Sequence, residues 1–461
     1  MLGKKKRCMN KVLWTVFALL MAAAVTVFGI RFHTGSVAAA APLTTGQLIY
    51  NSGIYEMGMI CDRNGNVIVE GTASGDVYWS DSQAQDIMES MLGVDLNATL
   101  NSPYTVLGTC PWLYGMNDNR LDIKGLLTPW EDRVGGDVKL TIDMELQREI
   151  DRVIDESGYE DGRVVVSDYR TGEILAMYGD VQTQITAPGS TMKPILAAAI
   201  LNVRPDLRTF TYNCVSENHY FYTEEGSRHY ISCVGGAEHG VMDMDRAMAH
   251  SCNGYFISLL QQVDKEVLLQ ELQKWGYDTT IQYDDFHYHD HVFLGSGTES
   301  TDMLLAAIGQ ANAGITTLGL NNCMSAILNH GVLQEPKLID SVVYQAGEDW
   351  TLREEGEQYE ICSTDIADDV MSMMQGVTEY GTGKKFAYPG FLAKTGTSEK
   401  IIVEQGSNDN TYAVWTAGGL TSEEYPYCIT VCLDNVDRTT TSADAGIVAR
   451  EILKYIVEGG R

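Results

Sequence analysis

Strand-like apolar runs fill two stretches of this chain, separated by a long region of helical character. Residues 164–168 and 173–177 are mostly apolar and are joined by Tyr169-Arg170-Thr171-Gly172, which predicts a β-hairpin. Residues 391–398, 412–417 and 427–433 predict three more strands, the first interrupted by a single glycine, Gly396. Pro194-Ile195-Leu196-Ala197-Ala198-Ala199-Ile200-Leu201 is apolar on every face, so the helix it predicts is a buried one. Residues 243–250 form a shorter helix-like run. A last helix starts near Ser442 and brings Ile447, Val448, Ile452, Leu453 and Ile456 to helical spacing. Two early and three late strands predict an α+β fold: one antiparallel sheet with flanking helices, packed by N- and C-terminal helices, and a helical subdomain inserted between. A cleft is expected where sheet and insertion meet.

The chain upstream of this unit is harder to read. Residues 59–69 predict a hairpin turning at Asn64-Gly65. At the N-terminus, Lys4, Lys5, Lys6, Arg7 and Lys11 precede an uncharged stretch from Val12 to Ile30. At about 1.5 Å rise per residue that stretch spans about 30 Å, enough for a bilayer core. Basic residues on its N-terminal side orient the bulk of the chain outside the cell. A cleaved signal peptide competes with the retained anchor, because Val37-Ala38-Ala39-Ala40-Ala41 offers the small residues a peptidase requires. The expected organisation is a basic cytoplasmic tail (1–11), a transmembrane anchor (12–30), a stalk or non-catalytic module (31–135) and a catalytic domain (136–461), which places the protein at the cell membrane.

The formal net charge is −30, and the basic cluster lies at the tip. The remainder is strongly acidic, which argues against nucleic acid or an anionic membrane surface as a partner. No phosphate loop, dinucleotide fingerprint or repeat is present.

Three short strings carry the chemistry: Ser190-Thr191-Met192-Lys193, Ser251-Cys252-Asn253 and Lys394-Thr395-Gly396-Thr397. Singly they read as a helix N-cap, an interhelical loop and a strand with a bulge. Together they supply the parts of an acyl-transfer serine enzyme that works without histidine. Ser190 stands at the N-terminus of the buried helix, and Lys193 projects from the same face three residues on. A lysine becomes a base only when its pKa falls toward neutrality, by burial or by a second cation, and Lys394 is the expected second cation. Ser251 can relay a proton to a leaving group, and the Asn253 amide can hold a substrate backbone. Gly396 is expected to admit the backbone of a peptide lying along a sheet edge. Lys394, Thr395 and Thr397 would bind its terminal carboxylate.

With these strings the chain resembles the class B high-molecular-mass penicillin-binding proteins. The likeness extends from about Asp137 onward, through Leu140-Thr141-Ile142-Asp143, His239-Gly240, Gly309-Gln310 and Gly381-Thr382-Gly383. In the N-terminal module Met57-Gly58 replaces the usual Arg-Gly, so the match there is partial. The resemblance implies a penicillin-binding/serine β-lactamase-like transpeptidase fold and D,D-transpeptidase activity on peptidoglycan stem peptides ending in D-Ala-D-Ala. It implies β-lactams as covalent ligands and a glycan-polymerising partner. It makes Ser190 the acylated nucleophile, Lys193 its base and Ser251 a third catalytic group. Asn253, Lys394, Thr395, Gly396 and Thr397 would bind substrate, with the oxyanion hole at the amides of Ser190 and Thr397. A D,D-carboxypeptidase or β-lactamase, and a non-catalytic β-lactam receptor or scaffold, are the alternatives.

Ten cysteines invite disulfides in an external domain. Cys214 and Cys233 can pair, stay free, or join His219 and His229 as a zinc set. His287, His289 and His291 alternate as on a polar surface strand. Cys252 is given no chemical role, and the catalytic chemistry needs no metal and no cofactor.

Overall fold

The computed structural model describes residues 58–71, 77–92, 137–159, 161–223, 226–279, 291–293, 300–311, 313–343, 351–352, 356–401 and 410–459. The expected tail, the apolar stretch 12–30, the small-residue site at 37–41 and His287 and His289 lie outside these residues. Among the described residues no helix is long and apolar enough to cross a membrane.

The expected sheet is present and fully antiparallel. It contains β1 (Gly162–Asp168), β2 (Ile174–Tyr178), β3 (Phe391–Ile401), β4 (Asn410–Leu420) and β5 (Tyr427–Val436), in the order β3-β4-β5-β1-β2. Successive strand residues point to opposite faces, so the sheet sorts its own apolar residues into two cores. Val164, Val166, Ile429 and Val431 face one side, against Ile150 and Ile154 of α1 (Met144–Ser157). Val165, Trp415 and Cys428 face the other side, the side of α2 (Met192–Val203).

Short polar residues fix the helix ends. Asp143 caps α1 by accepting from the amides of Glu145 and Leu146, and Gly158, at φ 73°, ends it. Between β2 and β3 lie α3 (Met244–Ala249), α4 (Asn253–Leu260), α5 (Thr317–Leu328) and α6 (Thr364–Glu379). The closing helix α7 (Ser442–Glu458) begins with a reciprocal Thr441–Asp444 capping box and buries Ile452 and Leu453 beside α1. Each of those side chains contributes about 1.5–3 kcal/mol.

A second, mixed sheet has six strands in the order Thr351–Leu352, Ile339–Val343, Asp137–Leu140, Ile60–Cys61, Val67–Gly71, Val77–Trp79. The predicted Asn-Gly hairpin is there, with Gly65 at φ 83°. Ile60 pairs in parallel with Val138, while Ile339 pairs antiparallel with Leu140. The strands Ile60–Cys61, Val67–Gly71 and Val77–Trp79 therefore share one sheet with segments on either side of β1 and β2. His291 departs from the surface-strand expectation: it is buried, edge-on to Tyr277 at 5.8 Å between centroids.

An ion pair ties the halves of the main sheet together. Arg163 of β1 donates to Asp434 of β5 at 2.9 Å, with both side chains buried, and to the Thr186 hydroxyl at 2.9 Å. Removing one partner leaves a buried charge uncompensated. Asp434→Ala is expected to lower unfolding free energy by about 3–5 kcal/mol, read by urea denaturation; a loss below about 1 kcal/mol would show that the pair is dispensable.

Candidate active site

Ser190 lies in a single 3₁₀ turn, Gly189–Thr191, that runs directly into α2. Close backbone approaches hold this turn. The Gly189 amide donates to the Gly309 carbonyl at 2.8 Å, and Gly189 itself has φ +55°. A Cβ on Gly189 would lie 2.5 Å from the Thr397 carbonyl oxygen. The Trp415 indole donates to the Ala187 carbonyl at 3.0 Å.

Gly396 completes the interlock. A Cβ there would sit 2.5 Å from the Pro188 carbonyl oxygen and 3.1 Å from the Thr191 nitrogen. The backbone that packs against this glycine is the chain's own Ser190-bearing turn. This strand, β3, is the outermost of its sheet.

The Thr397 carbonyl accepts from Gln310 Nε2 at 2.9 Å. A strand residue turns its N–H and C=O to the same side, so the Thr397 amide also faces away from β4. It faces the Ser190 turn, since Gly189's absent Cβ would lie 2.8 Å from the Thr397 nitrogen. Thr397 is exposed and Ser190 partly so, whereas Lys193 and Lys394 have no solvent exposure.

The two amines live on polar atoms of the same chain. Lys193 Nζ is 2.9 Å from Ser190 Oγ and 3.1 Å from Ser251 Oγ, and it donates to the Ser251 carbonyl and to Asn253 Oδ1, each at 2.8 Å. Lys394 Nζ lies 3.1 Å from the same Ser251 Oγ and donates to the Thr395 carbonyl at 2.8 Å. Ser251 is thus the bridge between two lysines. Its backbone has φ 55°, a left-handed conformation that aims both carbonyl and hydroxyl at Lys193. Asn253 is oriented by a second bond, from Nδ2 to the Ser232 carbonyl at 3.1 Å.

Burial pulls Lys193 down to about 8, against a smaller upward pull from Cys252 and Cys233. Lys394 is held well below the ordinary lysine range, first by burial and then by the charge of Lys193. The second-cation effect expected at Lys193 therefore falls on Lys394 instead, one of two fully buried amines that share the Ser251 hydroxyl.

All eight residues singled out by sequence come together here. Three others were missed in role. Thr382, whose hydroxyl is 2.6 Å from that of Thr395, and Gln310 lie in strings noticed without an assigned task, and Trp415 gave no signal beyond strand pattern.

Residues 162–456 match the family described as the penicillin binding protein transpeptidase domain. The chain belongs to that family. It is 25% identical over 378 residues to stage V sporulation protein D of Bacillus subtilis, covering 72% of this chain and 54% of that protein. It is 24% identical over 369 residues to penicillin-binding protein PbpB of Mycolicibacterium smegmatis, covering 70% and 55%. The chain thus spans about half the length of these relatives. Among solved structures it is similar to apo penicillin binding protein 3 of Mycobacterium tuberculosis, with TM-score 0.69, 20% identity, and 88% and 96% of the two chains covered. It is also similar to the penicillin G acyl-enzyme complex of penicillin-binding protein A of M. tuberculosis, with TM-score 0.69, 18% identity, and 87% and 100% covered. At that identity the likeness establishes the shared fold.

Displacement of the Ser190 turn is the expected result of adding one methyl at Gly396. Gly396→Ala should slow labelling by a fluorescent penicillin roughly 10²-fold, the cost of misplacing a reacting group by about 1 Å. An unchanged labelling rate would mean that the turn yields without cost.

Proposed function

We propose that this chain is a serine-type peptidoglycan D,D-transpeptidase. The observation that carries the reading is a fully buried lysine, Lys193, within hydrogen-bond distance of Ser190 and Ser251. Ser190 Oγ attacks the carbonyl of the penultimate D-Ala, and its proton passes to neutral Lys193. The oxyanion forms against the amides of Ser190 and Thr397. Lys193 returns the proton through Ser251 to the departing D-Ala amine, leaving an ester on Ser190. An amine of a neighbouring stem peptide then attacks that ester and the same path runs in reverse. A β-lactam enters as the substrate does and stops at the ester.

The substrate carboxylate is met by the exposed Thr397 hydroxyl, with Thr395 behind it. Burial and the charge of Lys193 hold the Lys394 amine well below the ordinary lysine range, and an arriving carboxylate favours its protonated form. Asn253 holds the peptide backbone. The basic-then-apolar N-terminal stretch supports a retained anchor, with the catalytic unit from about residue 136 outside the membrane and the intervening segment contacting a glycan-polymerising partner.

Ser190→Ala is expected to abolish the covalent penicilloyl adduct seen by intact mass; an adduct that persists would displace Ser190 as nucleophile. Lys193→Ala should slow acylation by about 10²- to 10⁴-fold, the usual contribution of a general base.

The base must be neutral, and Lys193 sits near 8. The acylation rate should therefore rise about tenfold per pH unit below that value and level off above it. A flat profile from pH 6 to 10 would remove Lys193 from that role.

Fate of the ester separates synthesis from hydrolysis. The adduct should persist for many minutes, and polymerised lipid-linked glycan should yield cross-linked dimers. Rapid β-lactam turnover, or D-Ala release with only trimmed monomers, would identify a hydrolase.

A further inference from the structure

A side-chain cluster next to the catalytic residues has no part in this chemistry. Cys214, Cys233, His239 and Cys252 converge so that their ligand atoms all lie within 4.8 Å of one another. They come from four separate places: the strand Tyr212–Cys214, the residues just before the Val234–Gly236 turn, the approach to Gly240–Met242, and the N-cap of α4. All three thiols are buried and free.

Their spacing matches tetrahedral coordination. Zinc–sulfur bonds of about 2.3 Å at tetrahedral angles place two sulfurs about 3.8 Å apart, and a sulfur about 3.6 Å from an imidazole nitrogen bound at about 2.05 Å. Cys214 Sγ is 3.7 Å from Cys233 Sγ, Cys233 Sγ is 3.8 Å from Cys252 Sγ, and Cys214 Sγ is 3.5 Å from His239 Nδ1. A Cys214–Cys233 disulfide would use two of these groups and leave unexplained why a third thiol and an imidazole converge on the same point.

We propose that Cys214, Cys233, His239 and Cys252 bind one zinc ion, which fastens the inserted subdomain to the Ser251–Asn253 segment. The ligand set differs from the one sequence spacing suggested: Cys214 and Cys233 remain, His239 and Cys252 replace His229 and His219. His219 takes an outer position, its Nε2 3.2 Å from Cys214 Sγ, where it can donate to the thiolate. Binding releases the thiol protons to solvent and leaves the metal with four protein ligands, a closed structural site rather than a catalytic one. Soft thiolates with one imidazole select zinc over magnesium or calcium.

Cys252 lies between Ser251 and Asn253, both of which contact Lys193. Losing the metal should therefore loosen the proton relay as well as the subdomain.

The full chain, purified without chelator from zinc-supplemented medium, should carry one zinc per molecule by inductively coupled plasma mass spectrometry. Cobalt replacing the zinc should give the intense visible bands of tetrahedral thiolate coordination. A strong chelator should lower the melting temperature, and added zinc should restore it. Cys233→Ser should reduce zinc content; if that variant does not fold, the cobalt spectrum of the unaltered protein decides alone. Metal-free protein that gives only a six-coordinate cobalt spectrum, or peptide mapping that finds a Cys214–Cys233 disulfide, would overturn the proposal. Neither readout depends on transpeptidation, so this site and the catalytic reading fail independently.

Discussion

Two lysine amines with no access to water set the terms for this active site. A buried ammonium is costly, so each amine must either lose its proton or be surrounded by acceptors. Lys193 does some of both. It has four oxygen neighbours, and its pKa has dropped into the range where proton transfer at ordinary pH is inexpensive. Supplying those oxygens requires a turn at Ser190, a loop at Ser251 and a helix start at Asn253 to meet at one point. The inserted helices and the sheet edge are the means of meeting.

Backbone contact, more than side-chain packing, keeps the Ser190 turn in register. Gly189, Gly309 and Gly396 each admit a peptide group where a Cβ would collide. Interiors this close-packed do not deform continuously, and a methyl in the interlock is felt at Ser190. The chemistry of the site and the geometry of its scaffold thus depend on different residues, although they occupy the same few ångströms.

Much of this was legible in the sequence, for identifiable reasons. The five strands of the main sheet and helix α2 stand out as apolar runs, α7 as an apolar helical period, and the three motif strings bring their chemistry with them. The rest depends on contacts between distant segments. Which backbone faces Gly396 is decided by the turn that packs against it, and the glycine alone is silent on that point. His239 and Cys252 join Cys214 and Cys233 only through folding, so spacing favoured the nearer histidines. Asn64-Gly65 announces the hairpin that contains Ile60–Cys61, but the parallel pairing of that strand with Val138 and Lys139 has no local signature. The direction of the lysine–lysine effect is likewise invisible until the folded surroundings of both amines are known.

Ser251 has a wider consequence. A serine at φ 55° gives up backbone comfort that glycine or asparagine would recover, and the conformation is kept because the hydroxyl must stand between two amines. Stability and activity therefore pull this position in opposite directions. A library of this protein sorted for thermal resistance alone would tend to enrich residues at 251 that relax the loop and take the hydroxyl from both amines. Only sorting that also demands acylation would keep the serine.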